Sequence, residues 1–168
     1  MAIYTPPLRD MQFVLHEVLN VTADLQAMPL HADIDADTIN AVLEEGGKFA
    51  ADVLLPINIS GDSESCKLDP VTHEVKTPAG FKAAYDQYIA GGWAALACDP
   101  AYGGQGLPLV VNQLFYEMMN SANQAWTTYP GLTHGAYAAL HTHGTETQKD
   151  TYLHKMTSGE WTGAMCLT

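Results

Sequence analysis

Basic residues are scarce. Only seven of the 168 residues are Lys or Arg, against nineteen Asp or Glu, for a formal net charge of −12. That balance repels nucleic-acid phosphates and anionic lipid, which excludes general nucleic-acid binding and a membrane-surface role. Any phosphate-bearing ligand must be held by local donors. Cysteine is sparse too: Cys66, Cys98 and Cys166 lie far apart with no C-x-x-C pair. Such a count builds no secreted disulfide framework and suits a reducing, cytoplasmic setting. No run of about twenty apolar residues is present to span a membrane. The first thirty residues carry one Lys or Arg, Arg9, and several acids, unlike a signal or transit peptide.

Charge itself is missing from one region. Fifteen of the nineteen acids fall in residues 1–99, and between Pro100 and Thr145 Glu117 stands alone as a charged side chain. A helical stretch this free of charge is enclosed by protein, as a central core helix, or lines a cavity. On the cavity reading, Met118, Met119, Trp126, Tyr129, Leu132 and Tyr137 are expected to be exposed until further domains cover them.

The patterns that are present are helical. Thr5-Pro6-Pro7 is a helix start, and Met11, Val14, Leu15, Val18 and Leu19 follow at helical spacing over Pro7 to Leu19. A second helix begins after the carboxylates of Asp33, Asp35 and Asp37. Its apolar face runs from Ile39 through Leu43, Phe49 and Ala50 to Leu54, and Pro56 ends or kinks it. Residues 58–77 are a polar excursion with turn chemistry and room for a short hairpin. Thr77-Pro78 caps a third helix that stops at Gly91-Gly92. A fourth covers Pro108 to Asn120. The charge-free fifth covers Asn123 to Thr142, loosened by Pro130, Gly131 and Gly135. Thr145 and Gln148 form a capping box that opens a sixth, with Tyr152, Leu153 and Met156 as its buried stripe. Trp161 to Thr168 has the pattern of a strand, and a strand without a partner is not a stable end. The expected fold class is all-α: a bundle of about six helices over residues 1–160, with 161–168 beginning a β-domain that continues beyond.

Spacing alone completes no catalytic constellation. His141-x-His143 sets two imidazoles about 200° apart around a helix, too divergent to share a metal. No H-E-x-x-H pattern is present, so no metal ligand is assigned. The glycines of Gly103-Gly104-Gln105-Gly106 either bare N–H groups to a phosphate or make a tight turn for chain reversal. No Lys-Ser/Thr follows them, as a P-loop requires.

Longer segments carry a resemblance. His143-Gly144-Thr145-Glu146-Thr147-Gln148-Lys149 followed by Tyr152-Leu153 resembles the "HGTExQKxxYL" segment of acyl-CoA dehydrogenases. Ser158-Gly159-Glu160-Trp161-Thr162-Gly163-Ala164-Met165-Cys166-Leu167-Thr168 is similar to the family's "SGExxGAMCLTEP" flavin motif up to its Glu-Pro. Pro100 to Gly106 resembles the "PxxYGGQG" loop, with Ala101 where many members have an acid. The opening Tyr4 to Leu15 is similar to an extension in one branch, which includes 3-methylmercaptopropionyl-CoA dehydrogenases and broad-chain-length bacterial relatives.

The resemblance implies the N-terminal helical domain of an FAD-dependent enzyme that dehydrogenates acyl-CoA thioesters. It implies electron-transfer flavoprotein or a similar acceptor as partner, and a homo-oligomer. The family's glutamate base lies in a C-terminal bundle, so no catalytic residue is assigned here. Met165, Cys166, Leu167 and Thr168 match the start of the flavin motif. Thr127, Thr128 and Gly131 fall where the family's pocket helix meets the acyl tail. Two other readings stand beside it. One is a stand-alone helical binding or assembly module; the other is a metal-binding bundle built on His134, His141 and acids.

Overall fold

The structure is a computed structural model that describes residues 3–164 and 166. Among the described residues its regular elements are helices apart from one small hairpin. Helix α1 (Leu8–Gln12) runs on into a π-helical turn, Phe13–Val18. A left-handed Asn20 then turns the chain into α2 (Val21–Gln26). Helix α3 (Ala36–Lys48) starts at Asp35, whose carboxylate accepts the Thr38 N–H at 2.7 Å. A second π turn, Phe49–Leu54, continues α3 until Pro56 forces a 3₁₀ turn, Leu55–Ile57.

The polar excursion holds a short helix, α4 (Asn58–Glu64), and the expected hairpin. Its strands β1 (Lys67–Leu68) and β2 (Val75–Lys76) pair antiparallel, with Lys67 opposite Lys76. Helix α5 (Phe81–Ala90) starts at Gly80 rather than at Thr77-Pro78, because Gly80 takes the left-handed entry conformation. The fourth and fifth expected helices are the two arms of one long element, α6 (Leu109–His143), broken at Asn123. Helix α7 (Glu146–Thr157) opens with the capping box that Thr145 and Gln148 predict.

The main core gathers around α6. Met118 and Phe115 of its first arm and Trp126 of its second are buried against Leu43, Phe49 and Leu54. Phe49 sits among Tyr88, Trp93, Phe115 and Trp126 at ring separations of 6.0–6.3 Å. Such tilted and edge contacts suit aromatic quadrupoles. A smaller cluster joins Cys98 and Tyr137 to Leu153 and Met156 of α7.

Burial corrects three expectations. Met118, Met119, Trp126 and Tyr137 are buried within this chain; of the six residues expected to be exposed, Tyr129 is, at 53%. Glu117 is exposed while its neighbours Met118 and Met119 are not, so one face of the uncharged stretch is core packed against α3, α4 and α7. On α7 the inner stripe is Leu153, Met156 and Thr157, while Tyr152 turns outward at 42% exposure. Likewise Met11 and Leu15 face inward from the first helix, and Val14, Val18 and Leu19 do not, because the π turn rotates them off the α-helical stripe.

Residues 161–164 and 166 form no strand pairing. The Trp161 N–H donates to the Lys155 carbonyl and the Gly163 N–H to Thr133 Oγ1, so this segment lies along helices. Met165, Leu167 and Thr168 lie outside the described residues.

The glycine-rich loop resolves as a tight turn. The N–H groups of Gly103, Gly104, Gln105 and Gly106 donate to the carbonyls of Pro100, Asp99, Ala95 and Cys98. All four donors are spent inside the loop, so it offers no cradle for phosphate. A Cβ on Gly104 would fall on the Cys98 carbonyl, whereas one on Gly103 meets nothing within 4 Å. Gly104→Ala should therefore cost about 3 kcal/mol, the upper range for overpacking. Gly103→Ala, strained only by its positive φ, should cost roughly 1 kcal/mol. Urea unfolding of both variants checks the order; equal losses would contradict it.

Candidate functional site

The site begins with a broken helix. Asn123 has φ −159° and ψ 85° in the middle of α6, and its side chain is 1% exposed. Its Oδ1 accepts the Trp126 N–H at 3.0 Å, so Asn123 caps the second arm as Asn caps an independent helix. Its Nδ2 donates to the Leu54 carbonyl at 3.2 Å, where the π turn of α3 ends. One amide thus joins two irregular backbones.

A cavity of about 210 Å³ lies in the angle between the arms. The first arm contributes Asn112, Gln113, Tyr116 and Met119; the second contributes Pro130, Gly131, Thr133, His134 and Tyr137. Tyr85, Tyr88 and Trp93 close it from α5 and the turn that follows. Gly131 is needed for a close approach: a Cβ there would occupy the place of the Tyr116 hydroxyl.

None of the lining residues is Asp, Glu, Lys or Arg. Burial pushes the Tyr85 and Tyr137 phenols up to about 12, so both stay neutral. Burial likewise raises the Cys98 thiol, leaving it a weak nucleophile. Desolvation lowers His134 and favours its neutral imidazole. The Tyr85 hydroxyl donates to the Gly159 carbonyl at 3.0 Å, and the Tyr137 hydroxyl accepts the Asp99 N–H at 2.9 Å. This is a chamber for an uncharged, mostly apolar group with a few polar contacts. Among its lining residues no base is paired with a nucleophile.

Of the residues assigned to the acyl tail, Gly131 lines the cavity. Thr127 is fully buried one turn deeper, its hydroxyl donating to the Asn123 carbonyl at 2.8 Å. Thr128 is exposed, and its hydroxyl donates to the Gln124 carbonyl at 3.0 Å. Of the flavin-motif residues, Cys166 is exposed and Met165, Leu167 and Thr168 lie outside the described residues. The segment leading to them is held against the second arm. The hydroxyls of Thr162 and Tyr129 are 3.1 Å apart, and Gly163 packs on Ala136.

Sequence reasoning missed a second cluster. His141 Nε2 is 2.9 Å from Asp99 Oδ2, and Tyr137 stacks on the imidazole at 5.6 Å. The hydrogen bond to His141 is the main cause that holds Asp99 below the usual carboxylate range. This ties the glycine-rich loop to the second arm. The available signal was the i, i+4 spacing of Tyr137 and His141, which puts both on one helical face. Among the described residues no three His, Cys, Asp or Glu are grouped to hold a metal, and no helix is long and apolar enough to cross a membrane.

Comparison with known proteins gives concordant matches. The family model described as acyl-CoA dehydrogenase, N-terminal domain, matches residues 65–160. A 3-methylmercaptopropionyl-CoA dehydrogenase of Ruegeria pomeroyi is 38% identical over 165 residues, covering 98% of this chain and 28% of its own length. A butyryl-CoA dehydrogenase of Syntrophomonas wolfei is 32% identical over 166 residues, covering 98% and 27%. A broad-specificity linear acyl-CoA dehydrogenase of Mycobacterium tuberculosis is 32% identical over 168 residues, covering 100% and 27%. The chain spans just over a quarter of the length of these relatives.

His134 reports on the cavity. Its folded-state pKa lies below the ordinary value of about 6.5. The unfolded chain therefore takes up this proton first as pH falls. The His134 contribution to stability is complete above the unfolded value and is lost as pH drops through the folded one. NMR titration of the His134 ring should give a midpoint below the ordinary histidine value of about 6.5, and an apolar ligand in the cavity should lower it further. A midpoint at or above that ordinary value would contradict its burial.

Proposed function

The chain belongs to the acyl-CoA dehydrogenase family, and we propose that it forms one wall of the acyl and flavin sites of such an enzyme. The observation that carries the proposal is the uncharged cavity between the arms of α6, with Gly131 in its wall. A thioester's acyl tail is neutral and mostly apolar, so it gains by leaving water and meets no buried charge. Tyr85 from α5 and Tyr137 from the second arm offer neutral phenols to the cavity, which can orient a tail without ionising.

FAD is the cofactor of this reading, and bound flavin supplies the hydride acceptor. The fit rests on the segment after α7. Thr162 and Gly163 are pinned to the second arm at Tyr129, Thr133 and Ala136, with Cys166 exposed just beyond. Met165, Cys166, Leu167 and Thr168 would hold the ring from there, beside the helix that lines the acyl cavity. Thr127 and Thr128 belong to the same arm, Thr127 buttressing the cavity from beneath and Thr128 facing outward.

The α-proton needs a base that these residues do not provide. Glu160 is exposed and bonded to Lys155 at 3.0 Å, and Glu117 is exposed; neither lines the cavity. The base, the acceptor flavoprotein and the homo-oligomer of this reading all lie with other parts or partners, in the cytoplasm.

Two measurements on the 168-residue chain test the reading together. Butyryl-CoA should raise its melting temperature where free CoA does not. Supplied with FAD and an artificial acceptor, the chain should show no turnover, since a positioned base alone contributes about 10²–10⁴-fold. Identical responses to CoA and butyryl-CoA, or measurable dehydrogenation, would overturn it.

A further inference from the structure

Two residues of the cavity wall have a second role. Tyr85 stands on α5 and Thr133 on the second arm of α6, and both line the cavity. Each also holds the backbone of the segment that follows α7. The Tyr85 hydroxyl donates to the Gly159 carbonyl at 3.0 Å, and Thr133 Oγ1 accepts the Gly163 N–H at 3.1 Å. Thr127, Thr128 and Thr151 turn their hydroxyls to the carbonyl four residues back, a common bond of helical threonines. Thr133 Oγ1 instead serves another segment. Both ends of that segment are closely seated glycines. A Cβ on Gly159, at φ 75°, would fall on Ile89 of α5, and one on Gly163 would fall on Ala136 of the second arm. Between them the Thr162 hydroxyl meets that of Tyr129, whose ring lies edge-on to Tyr85 at 5.3 Å. Residues 159–163 therefore run from one wall of the cavity to the other.

We propose that Tyr85 and Thr133 are positioning residues: lining the cavity and holding both ends of residues 159–163, they make a bound apolar chain set where the flavin motif begins. The proposal rests on the acyl and flavin reading for its purpose and on these contacts for the coupling. A chain that fills the cavity touches the α5 wall and the second arm at once. Hydrogen bonds are short and directional, so a shift of either wall passes to the Gly159 carbonyl or to the Gly163 N–H. The coupling runs both ways. A partner that fixes residues 159–163 must change the cavity's affinity for the chain by the same factor that the chain changes the partner's.

The test needs neither CoA nor flavin. A cavity of about 150 Å³ takes benzene, so one of about 210 Å³ has room for n-hexanol. In the isotope-labelled 168-residue chain, saturating n-hexanol should shift the methyl resonances of Met119 and Met156, which line the cavity and report occupancy. The amide resonances of Glu160, in the peptide unit of the Gly159 carbonyl, and of Gly163 should shift with them. That of Thr38, capped by Asp35 on α3, should stay. Thr133→Val keeps the shape of the side chain and removes the acceptor. At saturation its methyls should respond while the Gly163 shift is lost, and Thr133→Ser, which keeps the hydroxyl, should restore it. Tyr85→Phe should abolish the Glu160 shift in the same way. Three results would overturn the proposal: shifted methyls with an unmoved Gly163 amide in the parent, a Gly163 shift retained in Thr133→Val, or no methyl response in the parent. Coupled shifts with n-hexanol, but no change of melting temperature with butyryl-CoA, would support the coupling and reject the acyl-CoA reading.

Discussion

One buried amide organises this domain. Both arms of helix α6 give residues to the core and to the cavity, and the arms meet at Asn123. A break in a buried helix leaves unpaired N–H and C=O groups, which are costly away from water. Asn123 answers on both sides: its oxygen takes the Trp126 N–H and its nitrogen gives a bond to the Leu54 carbonyl. The second of these matters as much as the first. Leu54 ends a π turn of the helix that packs beside α6, and the Asn58 N–H bonds to Leu55 instead. Two separate irregularities are therefore stabilised by the same side chain.

The cavity follows from that bend. A straight helix of thirty-five residues would carry its first and second arms away from each other, about 50 Å end to end. Bent at Asn123, the arms enclose a space, and Pro130 and Gly131 keep the second arm thin where Tyr116 crosses to it. The same arm then bears the Asp99–His141 contact and the Thr133 and Tyr129 contacts that hold residues 162 and 163. Loop, cavity and residues 162–163 are thus all attached to the second arm of one helix.

Helix existence and order were legible in the sequence, because apolar spacing and caps act locally. The second-helix stripe from Ile39 to Leu54 and the Thr145–Gln148 capping box appear as expected. The division of residues 109–143 into two arms was legible too, although the two arms form one continuous element with a non-helical residue inside. One miss has a local cause, since periodicity assumes 100° per residue: the π turn at Phe13–Val18 breaks that assumption where Val14 and Val18 face out. Absence of charge was ambiguous. It marked the region from Pro100 to Thr145 as enclosed by protein or lining a cavity, but which holds at each residue depended on packing that no spacing encodes. The site was legible only in part: Gly131 was among the residues expected to line a pocket, while Tyr116 and the Asp99–His141 pair are brought together only by the tertiary packing.

The most direct measurement is the unfolding free energy of Asn123→Ala in urea beside the parent. Alanine favours a helix at that position, so propensity alone would make the variant more stable. The account predicts the opposite: a loss of about 2–4 kcal/mol, from leaving the Trp126 N–H and the Leu54 carbonyl unpaired in a buried site. A variant within about 0.5 kcal/mol of the parent, the range of an ordinary surface change, would contradict it.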